Sequence, residues 1–259
     1  MESINIEIIL VVASAIIALI STAISVYGQS RTAKIEQELA QRREAESKKA
    51  QVESLVAKYR DPLLASAYDL QSRLYNTIQN NFLQNYYQRG SELDQNYALQ
   101  NTLFVFAEYL GWKEILRREV QFLDFGDIEK NQRLERLLEN VTQILLTDQF
   151  AIPFRLLRGE QRAIGEVMSA PRPGSGKTIY ECIGYAEFVK RLADPEFARW
   201  FARLQQDIVQ FSLDPSDQTK QRLIGLQHAL IDLIDFLDPN YIYVQKEYRQ
   251  KLAIISLAL

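Results

Sequence analysis

The sequence predicts an all-α protein with a single N-terminal transmembrane helix, a helical stalk and a multi-helix bundle of about eight helices. Three observations indicate this fold class. Residues 8–27 carry no charge, and residues 29–58 are rich in the strong helix formers Ala, Glu, Gln, Lys and Arg. The remaining sequence repeats apolar residues at the helical period of about 3.6 residues, and no segment shows the alternation typical of strands between hairpin turns.

The first element is the apolar segment 8–27, which we assign to a transmembrane anchor covering residues 1–28. As a helix, its twenty residues span about 30 Å, the hydrocarbon thickness of a bilayer. A cleaved signal peptide would begin with basic residues, whereas Glu2 and Glu7 stand here instead. We therefore expect an integral, single-pass membrane protein.

The charges that follow the anchor predict its orientation. Basic side chains stand at Arg31, Lys34, Arg42 and Arg43. By the positive-inside rule they place the N-terminus outside and the C-terminal domain in the cytoplasm. Cys182 is the only cysteine, so an internal disulfide is impossible, which fits a reducing compartment.

The second element is a helical stalk over residues 29–60. A coiled coil would need apolar residues at its a and d positions over several heptads. Ile35 and Leu39 begin such a stripe, but only alanines continue it before Val52. We favour a solvated single helix or a loose self-association over a firm coiled coil.

The third element is a cytoplasmic α-helical domain over residues 61–259. Asp-Pro pairs stand at 61–62, 194–195, 214–215 and 238–239. We predict that each pair begins a helix, because Asp caps free amides and Pro suits the first helical position. Apolar faces at helical spacing lie on residues 63–78, 99–110, 134–145, 197–211 and 223–237. Residues 169–177 are rich in Pro and Gly and are predicted as a loop.

Composition argues against several classes of function. The chain has 30 basic and 33 acidic residues, so no basic excess favours nucleic acid as a partner. His228, Asp232 and Asp235 share one helical face, but a metal site lacks a second His or a fourth ligand, so we predict neither metal nor cofactor. No nucleophile–base motif is present, which argues against an enzymatic function without excluding it.

The segment GSGKT at residues 174–178 resembles the end of a nucleotide-binding P-loop. The full motif needs Gly where Pro171 stands, and Pro173 also lacks the amide that would face phosphate. The motif also has to follow a strand, whereas here it follows a helical pattern. We therefore expect no nucleotide.

The segment 154–168 (FRLLRGEQRAIGEVM) carries the candidate binding site. As a helix it places basic side chains on one arc: Arg155, Arg158 and Arg162. Gly159 and Gly165 flank this arc, and their lack of a side chain would let another backbone or a ligand come close. Glu160 falls within the opposite, apolar face, where a buried carboxylate needs a cation, hydrogen bonds or a proton. Two interpretations stay open. The arginines bind an anion such as a phosphate, or they and Glu160 pair with charges on neighbouring helices and staple the bundle, which we favour.

Three runs together resemble a family of uncharacterised, membrane-anchored helical proteins with no assigned activity: YRDPLLASAYDLQSRLYN (59–76), LFVFAEYLGWKEILRREVQFLDFG (103–126) and FRLLRGEQRAIGE (154–166). The resemblance implies one domain over most of residues 61–259. It supplies neither a catalytic residue nor a ligand.

These observations lead to two hypotheses of function. The first is a membrane-tethered helical protein that acts by protein–protein interaction or by self-assembly as a homo-oligomer. The alternative is an anion- or phosphate-binding domain that uses Arg155, Arg158 and Arg162, with Glu160 as an acid or base if it is catalytic. An exposed apolar patch would favour the first, and a concave pocket lined by the arginines would favour the second.

Overall fold

The computed structural model describes residues 2–119, 128–150, 152–172 and 179–255, with the side chains of residues 2–56 described only in part. The chain is mostly helical, which confirms the predicted all-α class, although two short strands are also present. The helices are α1 (Glu2–Gln79), α2 (Glu92–Glu119), α3 (Ile128–Leu146), α4 (Arg158–Met168), α5 (Tyr185–Arg191), α6 (Pro195–Ala198), α7 (Ala202–Leu213) and α8 (Asp217–Leu237). A π-helix covers Leu83–Gln88, a 3-10 helix Lys246–Arg249, and the strands are β1 (Ser169–Arg172) and β2 (Ile179–Cys182).

The chain divides into two compact units, with the boundary between residues 54 and 55. The first unit is helical wherever it is described, which agrees with the helix predicted for the stalk. Ile35 and Leu39, the start of the expected apolar stripe, are exposed. Among the described residues, no helix is both long enough and apolar enough to cross a bilayer. Most side chains of segment 8–27 lie outside the described part, so the anchor stays a prediction from the sequence.

The second unit, residues 55–259, has one hydrophobic core. All five predicted apolar faces contribute to it, from Leu63 in α1 to Leu237 in α8. Helix α2 contacts α4, α5, α7 and both strands, and α3 packs against α8. Tyr59, which was assigned to the stalk, is buried in this core. The periodicity of the sequence therefore identified the faces that fold together.

The Asp-Pro pairs begin helices less often than predicted. Asp194 does cap α6, since its side chain accepts a hydrogen bond of 3.0 Å from the Glu196 amide. Pro62 instead lies inside α1, so no helix begins there. Helix α8 begins at Asp217 behind Ser216, two residues after the third pair.

The fourth pair follows the end of a helix instead of beginning one. Asp238 is buried directly after α8, and its carboxylate accepts hydrogen bonds from the amides of Ile242 (2.8 Å), Tyr243 (3.0 Å) and Val244 (3.0 Å). Burial raises the pKa of Asp238, but these bonds and Arg249 together lower it below its ordinary value. An Asp carboxylate binds free amides in any geometry, and here those amides belong to a loop.

The prediction of a loop over residues 169–177 is wrong for the first residues of that range. There, β1 forms an antiparallel pair with β2. Ser169 pairs with Cys182, and Arg172 pairs with Ile179. The strands have only four residues each, and Pro171 lies within β1, so they carry no clear sequence signal.

Helices α2 and α4 approach closely at two glycines. A Cβ added to Gly165 would lie 2.6 Å from the carbonyl oxygen of Leu110 and 2.6 Å from Cβ of Glu114. A Cβ added to Gly111 would lie 3.0 Å from Cβ of Met168 at the end of α4, and 2.7 Å from Sγ of Cys182 in β2. The close approach predicted at Gly165 is therefore present, whereas a Cβ at Gly159 meets nothing within 4 Å.

Gly165→Ala should destabilise the domain, because the added methyl collides with backbone of α2. Overpacking of this kind costs about 1–3 kcal/mol, which lowers the melting temperature of a domain this size by on the order of 5 °C. The matched control Gly159→Ala, on the same helix, should leave it unchanged or slightly higher. Thermal unfolding by circular dichroism measures both variants. Equal melting temperatures would contradict the close crossing.

Candidate functional site

Helix α4 begins later than predicted, and this breaks the expected arc of arginines. Phe154 has a left-handed backbone (φ 60°), and its amide donates a hydrogen bond of 2.9 Å to Oδ2 of Asp207. Its buried ring lies 5.9 Å from the ring of Phe106. Because core packing holds Phe154 in this turn, the helix begins at Arg158. Arg155 therefore lies outside the helix that carries Arg158 and Arg162.

Two of the three arginines form ion pairs with neighbouring acids. Arg155 pairs with Asp148. Arg158 binds Glu139 of α3 through two hydrogen bonds, of 3.0 Å and 2.6 Å. These bonds, more than any other contact, lower the pKa of Glu139 to about 2. Both arginines thus make the contacts expected of structural staples.

A helix over residues 154–168 predicts that Glu160 lies on a buried apolar face. That prediction is wrong. The carboxylate of Glu160 accepts a hydrogen bond of 2.7 Å from the amide of Leu157, just before the helix. It also pairs with Arg203 at 3.1 Å, and its side chain is partly exposed. A carboxylate in the first helical turn that binds a free amide is a helix cap.

A cleft of about 660 Å³ lies between α2, α3 and α4. Arg158 and Arg162 line it, whereas Arg155 and Glu160 do not. Its apolar lining consists of Leu110, Leu116, Leu134 and Leu138. Its charged lining consists of Lys113, Arg117, Arg158, Arg162, Glu114, Glu135 and Glu139. The volume and the mixed lining are typical of small-molecule sites.

Lys113 lies within this cleft and was missed in the sequence. Its Nζ donates hydrogen bonds to Oγ1 of Thr142 and, at 3.5 Å, to Oε1 of Gln161. The buried amide of Gln161 donates to the carbonyl oxygens of Thr142 (3.2 Å) and Leu156 (2.9 Å), which fixes its orientation. Two other helices therefore hold the ammonium group in place. The available signal was a lysine within the apolar run 102–116.

The electrostatic setting of Lys113 lowers its pKa well below that of an ordinary lysine. Burial, together with the nearby charges of Arg158 and Arg162, lowers the pKa of Lys113 to about 8, although the carboxylates of Glu139 and Glu114 oppose this shift. Among the described residues, no carboxylate forms an ion pair with Lys113. A perturbed lysine in a cleft is a marker of a functional site.

Arg162 is the second cation of the cleft without a carboxylate partner in the part of the chain that the structure describes. The nearby Glu114 is occupied by Arg117 at 2.7 Å and Arg118 at 2.7 Å. The cleft thus contains a half-buried lysine and an exposed arginine that form no ion pair with a described carboxylate.

The other candidate sites do not assemble. His228 contacts the carbonyl oxygen of Leu252, and Asp232 and Asp235 pair with Lys251 and Arg249. Across the described ranges, no cluster of three or more His, Cys, Asp or Glu residues is arranged to hold a metal ion.

The GSGKT segment at 174–178 lies outside the described residues. The expectation that it follows a helical pattern is wrong, because β1 precedes it. However, the element after it is the strand β2, whereas a P-loop leads into a helix. The order of elements around the segment therefore differs from that of a P-loop.

The stability of the domain should depend on Arg158 but not on Arg162. Arg158→Ala removes the pair with Glu139, and a half-exposed pair contributes about 0.2–1 kcal/mol, so a fall of about 1–3 °C in melting temperature is expected. Arg162→Ala should cause no fall, because it removes no ion pair. Differential scanning calorimetry compares the variants. A larger fall for Arg162→Ala would show that the partners are assigned wrongly.

Comparison with known proteins identifies no relative from which a role can be transferred. No protein-family model, curated protein or solved structure matches this chain. The resemblance of residues 59–76, 103–126 and 154–166 to a family of membrane-anchored helical proteins therefore stays a prediction. Function has to be inferred from the geometry of the molecule itself.

Proposed function

We propose that this chain is a single-pass, membrane-tethered helical protein that acts by binding a protein partner or a second copy of itself. The apolar segment 8–27 is the tether, and the basic residues after it place the domain in the cytoplasm. Tethering raises the effective concentration of the domain near other membrane components, so a weak contact suffices.

The observation that carries the binding role is an exposed apolar loop at residues 241–248. Its exposed members include Tyr241, Tyr243 and Tyr248, and Ile242 is 72% exposed. Tyrosines and large apolar side chains are enriched in protein interfaces and supply most of their binding energy. Grouped exposure of such residues within eight positions supports a docking role.

The loop is held in one shape by buried charges. Asp238 binds three of its amides, and Arg249 pairs with Asp238 at 2.6 Å. Arg249 also donates hydrogen bonds of 3.1 Å and 2.6 Å to the carbonyl oxygen of Val244, and lies 4.5 Å from the ring of Tyr241. A preorganised loop loses little conformational entropy when it binds, so more of its contact energy contributes to affinity.

A second candidate function is anion binding in the cleft. The observation that favours it is the pair of cations without carboxylate partners among the described residues, Lys113 and Arg162. The candidate residues change accordingly, since Arg155 and Arg158 are paired with acids. We propose no catalytic role for Glu160, because the Leu157 amide and Arg203 hold its carboxylate outside the cleft.

The tether is tested by fractionation of cells that express the chain. The full chain should stay in the membrane pellet after an alkaline wash, because a transmembrane helix inserts almost irreversibly. A variant lacking residues 1–28 should move to the supernatant. Protease added to intact cells should spare the domain and should digest it after permeabilisation. Release of the full chain by the wash, or digestion from outside, would refute the tether or its orientation.

The docking loop is tested by Ile242→Asp in the full chain. Ile242 is exposed, so the change should leave the melting temperature unaltered while it places a charge in the interface. Loss of one central interface contact weakens binding by at least about tenfold. The matched control is Leu93→Asp, at a residue of α2 that is 82% exposed.

Cross-linking in membranes, followed by purification in detergent, measures this loss. A partner or second copy that is captured by the wild type and by Leu93→Asp, but not by Ile242→Asp, is the expected result. Identical capture by all three chains would reject the loop as the docking surface.

A further inference from the structure

We propose that the cleft between α2, α3 and α4 binds an amphipathic monocarboxylate, with its head group at Lys113 and Arg162 and its apolar chain against the leucines of the cleft. This inference rests on the anion-binding function proposed above and names the ligand class.

Lys113 has capacity for one more hydrogen bond. An ammonium group has three donors, and Thr142 and Gln161 take two of them. The guanidinium of Arg162 is exposed, lines the same cleft and pairs with no acid in the described ranges. A carboxylate that bridges these two groups receives charge-assisted hydrogen bonds from both.

The charges of the lining favour a single negative charge on the ligand. Among the described residues, four cationic and three anionic side chains line the cleft, an excess of one positive charge. Glu139 forms an ion pair with Arg158, and Glu114 forms one with Arg117. The charges that remain are the positive charges of Lys113 and Arg162 and the negative charge of Glu135. A monocarboxylate neutralises the excess, whereas a dianionic phosphate exceeds it and is repelled by the carboxylates.

The leucines of the cleft favour a ligand that has an apolar portion. Leu110, Leu116 and Leu134 are buried in the domain and also line the cleft, with Leu138 beside them. At about 660 Å³, the cleft is far larger than a carboxylate group needs. Each methylene buried there increases affinity by about fourfold, so an alkyl chain attached to the carboxylate adds strongly to the affinity that the head group provides.

The test is titration calorimetry on the full chain in nanodiscs, with octanoate as the probe. Octanol supplies the chain without the charge, acetate supplies the charge without the chain, and inorganic phosphate supplies a different anion. Octanoate should bind at least about tenfold more tightly than each of the other three. Empty nanodiscs measure the uptake by lipid, which is subtracted.

Variants assign the head-group site. Arg162→Gln should weaken octanoate binding by about tenfold or more, and it alters an exposed residue, so the fold is retained. Lys113→Met should weaken it similarly. Arg155→Gln, which changes an arginine outside the cleft, should not alter it. Equal weakening by Arg155→Gln would overturn the assignment to this cleft.

The pH dependence gives an independent readout of Lys113. Its pKa of about 8 means that the ammonium loses its charge on the alkaline side. Octanoate affinity should therefore fall between about pH 7 and about pH 9.5 in the wild type and stay level in Lys113→Met. The charged groups that line the cleft around Lys113 are Glu114, Arg117, Glu135, Glu139, Arg158 and Arg162. Carboxylates and guanidinium groups do not ordinarily titrate in this pH range. A pH profile that Lys113→Met does not change would overturn the role of Lys113.

The outcomes separate this inference from the function on which it rests. Phosphate that binds as tightly as octanoate, and depends on Arg162, would leave anion binding standing and reject the monocarboxylate. Octanol that binds as tightly as octanoate would reject the charged head group. Failure of octanoate, acetate and phosphate alike would reject anion binding as a whole.

Discussion

The close contact of α2 with α4 is the constraint on which the cleft depends. Gly165 has no side chain, so α4 approaches α2 until its backbone lies against the Leu110 carbonyl and the Glu114 side chain. Lys113 and Gln161 lie one turn from this contact, and their side chains meet there. A bulkier residue at position 165 would separate the helices and with them the groups that line the cleft. One missing methyl group thus determines the geometry of the candidate site.

The charged side chains of the cleft fall into two groups, those in ion pairs and those without an acidic partner among the described residues. Arg158 and Glu139 join α4 to α3, and Arg117 and Arg118 satisfy the buried carboxylate of Glu114. Lys113 and Arg162 have no such acid among the described residues, and the pKa of Lys113 is lowered chiefly by burial and also by the charges of Arg158 and Arg162. The stapling and binding interpretations are therefore not exclusive, because they apply to different members of the same charged cluster. Such repulsion costs stability in the free protein, and a bound anion would relieve it.

The buried ion pair of Asp238 and Arg249 fixes the shape of the exposed apolar loop that follows α8. A buried carboxylate needs hydrogen bonds, and the chain supplies them from the amides of residues 242–244. That arrangement turns Ile242 and Tyr243 outward instead of into the core. The hydrogen bonds that the buried carboxylate needs thus determine which apolar side chains of the loop are exposed.

The sequence by itself determined the helical class and the buried face of each main helix, because a helical period is a local property that records which side avoids water. It also marked Gly159 and Gly165 as points of close approach, and the structure has a close contact at Gly165 but none at Gly159. Only the tertiary structure decided where α4 begins, since the turn at Phe154 depends on the contact of its ring with Phe106. Pairing of the four-residue strands and the loop around Asp238 likewise depend on neighbours that local pattern does not specify. The cleft itself joins Lys113 to Thr142 and Gln161, which are 29 and 48 residues further along the chain. Spacing along one helix predicts which residues share its face, but the residues opposite that face are chosen by packing over the whole domain.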